Sequence, residues 1–374
     1  MFEKIEGQPR AVNQLKFLIN SDRIAQSYLF FGPAGVGKLL SAIEFAKTIN
    51  CPKQCVHDFN QSCPSCRKIE KFVHPDIDLI FPTPGFEVNR DGTYKKDSER
   101  EKIQDYLHQL QETPYDRYKF SKTTSIRIDT IRRIEYKIQF APREGKYRVI
   151  IIAEADKFRH QAENAFLKTL EEPPDYVVII LTTTKISALL PTIISRCQKV
   201  RFNPIIPNII ENHLVSNHNV NKIKARISAR IANGSLAKAI LISQQENIEA
   251  RNKLMDFIEI LLSNDLERIY KFSDNFQHNS NKETLRDILD FLILWFGDLI
   301  YLRSDSQRLL NIDKREKLEE FNTEFKVSDN TVREIIEIIE QAKYLLNGNV
   351  NYELVVIDTF FQIRKKCLNG QATS

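Results

Sequence analysis

Two rhythms of apolar and polar positions divide the chain. Up to about residue 205, short and almost wholly apolar runs alternate with stretches of helical spacing, and beyond that point only the helical spacing remains. The apolar runs are Ser27–Phe31, Arg148–Ile152 and Tyr176–Leu181. A run with no polar face predicts a strand covered on both sides, so these three belong in a parallel sheet flanked by helices. Between the second and third, a helix is predicted from about Lys157 to Leu170, stopped by Pro173-Pro174. The first 205 residues therefore read as an α/β module with helices on both faces of its sheet.

The later half is read as all-α. Leu285, Ile288, Leu289, Leu292, Trp295, Phe296 and Leu299 fall on one helical face. A second stripe comprises Val332, Ile335, Ile336, Ile339, Ala342 and Leu346, behind a capping box at Thr331-Val-Arg-Glu334. Such stripes make bundle core more often than cofactor sites. Residues 82–122 break the pattern of the first half with Pro82, Pro84, Gly85, Gly92 and a charged stretch from Lys95 to Lys102. They read as a surface insertion with a short helix around Ile103–Leu110.

Composition narrows the class only in part. The chain has 374 residues, 42% of them hydrophobic, enough for two or three domains with real cores. A net charge of +5, from 54 basic against 49 acidic residues, permits nucleic acid as a partner without requiring it. No run approaches the roughly 20 apolar residues of a membrane span. Met1-Phe2-Glu3-Lys4 opens no secretory pattern, so a cytoplasmic location with no membrane partner is expected.

Four of the six cysteines are bunched: Cys51, Cys55, Cys63 and Cys66. Cys63-Pro-Ser-Cys66 has the spacing of a zinc knuckle, and Cys51 with Cys55 supplies a second pair. A structural zinc is expected within 51–66; a redox pair or unligated thiols are the alternatives. Cys197 and Cys367 stand alone and read as buried structural residues.

Gly32-Pro33-Ala34-Gly35-Val36-Gly37-Lys38 follows the first strand and opens a glycine-free stretch containing Leu40, Ile43, Phe45 and Ala46. Strand, glycine-rich turn and helix N-terminus together make a phosphate cradle from free backbone amides. Glycine-lysine strings also occur as plain turns, but here both flanking elements are present. The position after the lysine, whose hydroxyl would hold magnesium, is Leu39, which offers no ligand atom.

The loop, the cysteine cluster, Asn164-Ala-Phe-Leu-Lys-Thr-Leu-Glu-Glu-Pro-Pro174 and Leu190-Pro-Thr-Ile-Ile-Ser-Arg-Cys197 occur in that order. Together they resemble the bacterial clamp-loader ATPase family of the DNA polymerase III holoenzyme, which contains gamma/tau and delta-prime subunits. The match is strong over residues 1 to about 240 and weaker beyond, chiefly at Asn349-Val-Asn-Tyr-Glu-Leu354. It implies a AAA+ module over 1–205, a helical lid over 206–245 and a helical collar over 246–374 that joins five subunits into a ring. The implied partners are gamma/tau and delta subunits, with the sliding clamp and primer-template DNA reached through the complex.

The resemblance also says where hydrolytic chemistry should sit. Active members have a hydroxyl after the loop lysine, Asp-Glu at the end of the second strand and an arginine in the lid. This chain has Leu39, Ala153-Glu154 and, in Gly234-Ser-Leu-Ala237-Lys238, an alanine. Three separate contacts to metal or phosphate are missing, so ATP turnover is not expected, and binding of ATP and magnesium through Gly32, Gly35, Gly37, Lys38 and Thr184 is expected to be weak or absent. Asp156 is a candidate substitute carboxylate, displaced from the strand end. Arg196, in the Ser-Arg-Cys string, matches the family's arginine finger, which acts in trans on a neighbour's ATP. That combination resembles the family's delta-prime branch.

Two other readings compete. One is an active gamma/tau-like ATPase using Glu154, although the chain ends at Ser374 without the long extension expected of tau. The other is a DNA-binding scaffold, prompted by Arg127, Arg132, Arg133, Lys137, Arg143, Lys146 and Arg148. Such a run is more often a solvated face.

Overall fold

A computed structural model describes residues 2–51, 63–86, 95–115, 120, 123–244, 248–263, 266–276, 282–304, 309, 311, 314–346, 348 and 350–371. Its first elements are α1 (Pro9–Asn20), β1 (Ser27–Phe31), α2 (Lys38–Ile49), α3 (Pro64–Glu70), β2 (Ile77–Ile80) and α4 (Asp97–Glu112). Then come α5 (Ile128–Lys137), β3 (Arg148–Ile152), α6 (His160–Glu171), β4 (Val177–Thr183), α7 (Pro191–Arg196) and β5 (Gln198–Arg201).

The five strands form one parallel sheet in the order β2-β3-β4-β1-β5. Leu29 on β1 lies beside Leu181 on β4, and Ile180 on β4 beside Ile151 on β3. On one face Leu29, Ile150, Ile152 and Ile179 pack with Ile131, Ile134, Phe166 and Ile193 from the helices. On the other, Tyr28 meets Phe45 of α2 edge-on at 5.0 Å, and Phe30 meets Phe202 at 5.5 Å. Each such side chain contributes about 1.5–3 kcal/mol by burial. β1 and β3 coincide with the apolar runs that predict them.

The helical remainder comprises α8 (Pro207–His218), α9 (Lys222–Ile231), α10 (Leu236–Gln244), α11 (Ile248–Ser263) and α12 (Leu266–Ser273). It continues through α13 (Lys282–Ser304), α14 (Arg315–Phe325), α15 (Asp329–Leu345) and α16 (Tyr352–Gln371). By contacts the chain divides into two compact units, Met1–His218 with Ala232–Leu241, and Asn219–Ile231 with Ile242–Ser374. All seven residues of the α13 stripe are buried in the second unit, with Val332, Ile335, Ile339, Ala342 and Leu346. No described helix is long and apolar enough to cross a membrane.

Two local expectations change. The cap of α15 is Ser328, whose hydroxyl accepts the Thr331 N–H at 3.1 Å, so Thr331 sits inside the first turn. The helix in the insertion runs over Asp97–Glu112, well beyond the predicted 103–110, because its charged first turns are exposed and carry no apolar rhythm. Residues 87–94, 116–119 and 121–122 of that insertion lie outside the described residues.

Candidate functional site

The segment between β1 and α2 turns through Gly35 and Gly37, whose φ values of +71° and +91° favour glycine. A Cβ on Gly35 would lie 2.3 Å from Ser235 Oγ and 2.6 Å from Ala237 Cβ. The start of α10 therefore rests on the loop, and the Ala237 N–H donates to Gly35 O at 3.3 Å. Ala237 reaches the loop with a methyl group, where a longer cationic side chain would bring charge. Lys38 is buried, and its ammonium donates to Gly32 O at 2.8 Å and to Pro33 O.

Opposite the loop, β3 ends at Ile152 and is followed by Ala153 and Glu154. Glu154 is in the left-handed region at φ +50°. Its carboxylate pairs with Lys157 at 2.8 Å, and its N–H donates to Thr182 Oγ1 at 3.2 Å. Asp156 does not stand in for the missing strand-end aspartate. Its Oδ1 accepts from Thr183 Oγ1 at 2.7 Å and from the Thr184 N–H at 3.1 Å, which fastens it to the end of β4. Gly35, Gly37, Lys38, Leu39, Glu154 and Thr184 line one cleft of about 470 Å³. The fold thus brings the glycine-lysine loop, Leu39 and Ala153 to the wall of one cleft.

Arg196 is the last residue of α7 and is half-exposed. Its Nη1 donates to Thr192 O at 3.0 Å and its Nη2 to Glu171 Oε1 at 3.1 Å. The placement of α7 is set from α6, because the buried Glu163 carboxylate accepts the Leu190 N–H at 2.7 Å. Arg196 is thus delivered to the surface by a helix whose start is pinned from below.

Cys51, Cys63 and Cys66 come together, with all three sulfurs within 4.8 Å of one another. The Cys51–Cys63 and Cys63–Cys66 separations are 3.8 and 3.5 Å. Thiolates bound tetrahedrally to zinc at 2.3 Å stand about 3.8 Å apart, so the trio fits such an ion. Burial first, then the neighbouring thiols, push the Cys66 thiol well above its ordinary value. A metal here would have to displace those protons. Cys55, the expected fourth ligand, lies outside the described residues. Cys197 and Cys367 are buried, each with its thiol pushed up to about 12 by burial.

The basic run around α5 does not form a single face. Arg148 is buried, 3.6 Å from Asp76 and 3.9 Å from Asp78, and Lys137 also pairs with Asp78. Arg132, Arg143 and Lys146 are exposed, the first beside Asp129 at 3.9 Å and the last beside Asp22 at 3.0 Å. Asp76 gathers the N–H groups of Arg143, Glu144 and Gly145 at 2.7, 2.7 and 2.8 Å. Burial raises its carboxyl, but those three amides and the Arg148 guanidinium outweigh burial and hold it below its ordinary value.

Sequence reasoning misses Asp76, Glu163 and Tyr115, which are single residues in undistinguished surroundings. Tyr115, from the insertion, lies against Gly37. Its phenol is pushed up to about 12, chiefly by burial, and stays neutral.

Compared with known proteins, residues 7–206 match the family model of the DNA polymerase III delta subunit, and residues 245–365 match the model of that subunit's C-terminal region. The chain is 28% identical over 354 residues to DNA polymerase III subunit delta' of Bacillus subtilis, covering 94% of each protein. It is 25% identical over 383 residues to subunit tau of the same organism, covering 95% of this chain and 61% of tau. With subunit gamma/tau of Mycoplasma genitalium the identity is 26% over 348 residues, covering 86% of this chain and 51% of that protein.

Proposed function

Because the chain belongs to the DNA polymerase III delta-subunit family, we propose that it acts in the clamp loader as a delta-prime subunit that hydrolyses no ATP itself. One observation carries this reading: a complete glycine-lysine loop faces Leu39, Ala153 and Ala237, while Arg196 stands half-exposed at the end of α7. Without a magnesium ligand after the lysine or at the strand end, and without a lid cation, charge building on a γ-phosphate has too few partners. Loss of a single such group costs on the order of 10²–10³ in rate.

Arg196 acts outward. In a ring of subunits it reaches the ATP held by a gamma/tau neighbour, where an arginine supplied in trans is worth roughly 10³–10⁵ in rate. In this reading residues 206–245 are the lid and 246–374 the collar that holds the chain beside the gamma/tau and delta subunits. The sliding clamp and primer-template DNA are met through the assembled loader. The Cys51–Cys63–Cys66 cluster holds a structural zinc.

The test is ATP hydrolysis by the isolated protein with magnesium, beside Lys38→Ala. Background turnover in both is expected. Turnover that depends on Lys38 would make the chain a motor subunit.

A further inference from the structure

The inserted segment places an aromatic ring where a nucleotide would have to pass. Tyr115 follows α4 by three residues and is only 8% exposed. A Cβ on Gly37 would lie 3.1 Å from the Tyr115 hydroxyl and 3.2 Å from its ring, so the phenol rests directly on the loop. The hydroxyl donates to Lys4 O at 3.1 Å and accepts the Glu6 N–H at 3.0 Å. On its other side the ring meets His213 edge-on at 6.1 Å, and His213 pairs with Glu6 at 3.1 Å.

This position matters because of how the loop holds phosphates. The amides late in the loop and at the start of α2 take the α- and β-phosphates, and the lysine takes the β and γ. The nucleoside must therefore leave the cradle on the Gly37 side. That space holds Tyr115. A planar ring offering one donor and one acceptor to a main-chain carbonyl and amide also makes the contacts that a nucleobase edge could make there.

The ring is held from behind. Ile103 and Leu110 anchor α4 by burial, and Tyr106 of α4 stacks on Phe81 with centroids 4.0 Å apart. The open cleft runs from Gly37 and Lys38 to Glu154 and Thr184, and Tyr115 forms part of its wall.

We propose that Tyr115 is an internal occupant of the nucleoside seat, so that this chain's own insertion closes its phosphate loop to nucleotides. The lack of ligand atoms at Leu39, Ala153 and Ala237 removes hydrolysis; it does not by itself stop a loop from holding ADP. Tyr115 does. The proposal rests on residues 32–38 being a phosphate loop, and it is separable from the Arg196 assignment, which is read on a neighbour's turnover.

The experiment is calorimetric titration of the full chain with ATP, ADP and tripolyphosphate in magnesium, for wild type and Tyr115→Ala. In wild type the nucleoside adds nothing: ATP binds no tighter than tripolyphosphate, or neither binds at millimolar concentration. In Tyr115→Ala, ATP and ADP gain at least tenfold while tripolyphosphate moves less than threefold. ATP binding wild type tenfold tighter than tripolyphosphate would overturn the proposal, and so would a folded Tyr115→Ala with no gain. Should Tyr115→Ala fail to fold, hydrogen exchange on Tyr115→Phe decides. That variant keeps the ring and loses the hydroxyl, so the Glu6 amide should exchange at least tenfold faster while ATP stays excluded. Unchanged Glu6 exchange, or ATP bound by the Phe variant, would refute the arrangement.

Discussion

Arg196 and Glu171, the last residues of two consecutive helices, are joined through Nη2 and Oε1 at 3.1 Å. Both side chains are substantially exposed, at 36% and 52%. An exposed pair of this kind is worth about 0–1 kcal/mol, so Arg196 can leave Glu171 for another partner at little cost. The pair also joins two of the four strings on which the family resemblance stands, since Glu171 lies in one and Arg196 in the other.

Glu171→Gln should therefore leave stability within about 0.5 kcal/mol of wild type. It should not reduce the ATPase of a reconstituted loader. Arg196→Lys should recover only part of the loss caused by Arg196→Ala, because an ammonium cannot bridge phosphate oxygens as a planar guanidinium does. Full recovery by lysine would indicate a simple positive charge in place of a positioned fork.

Asp76 gives a pH signature. Its carboxyl lies below the ordinary value of 3.8 in the folded chain, so the native state binds its proton less readily than the unfolded state. Its contribution is complete above about pH 5 and is lost as pH falls through the folded value. Urea midpoints measured from pH 6 down to pH 3 should fall, and Asp76→Asn should flatten that slope. At pH 7 the substitution should cost about 3–5 kcal/mol, because it leaves the buried Arg148 undercompensated.

The thiol cluster predicts metal content. Purified protein should carry about one zinc per chain, and Cys63→Ser or Cys66→Ser should lose it together with several degrees of melting temperature. Elemental analysis checks this. Metal-free wild type with unchanged stability would return the three cysteines to unligated thiols.

Ser328→Ala should cost about 1 kcal/mol by removing the cap of α15, whereas Thr331→Ala should cost less. Thermal melts of the two variants separate these expectations.

What the sequence discloses follows from which signals are local. β1 and β3 are legible because burial on both faces makes their runs continuously apolar. The loop is legible because its glycines and lysine are adjacent. β2 is hidden: Asp78 interrupts its four residues, and only the fold supplies Arg148 and Lys137 to neutralise that charge. Asp76 looks like any acid until residues 143–145 arrive to donate to it. Tyr115 is hidden for the same reason, since its partners Lys4, Glu6 and His213 are distant in the chain. Ser328 could have been read, because a serine just ahead of an apolar helical stripe is itself an N-cap signal.

The most direct test places two substitutions side by side in a reconstituted loader and reads ATP turnover on primed DNA. Arg196→Ala in this chain should lower turnover at least tenfold, while Lys38→Ala in the same chain should leave it within a factor of two. The reverse, a collapse with Lys38→Ala and none with Arg196→Ala, would mean that this subunit burns its own ATP and lends nothing to its neighbour.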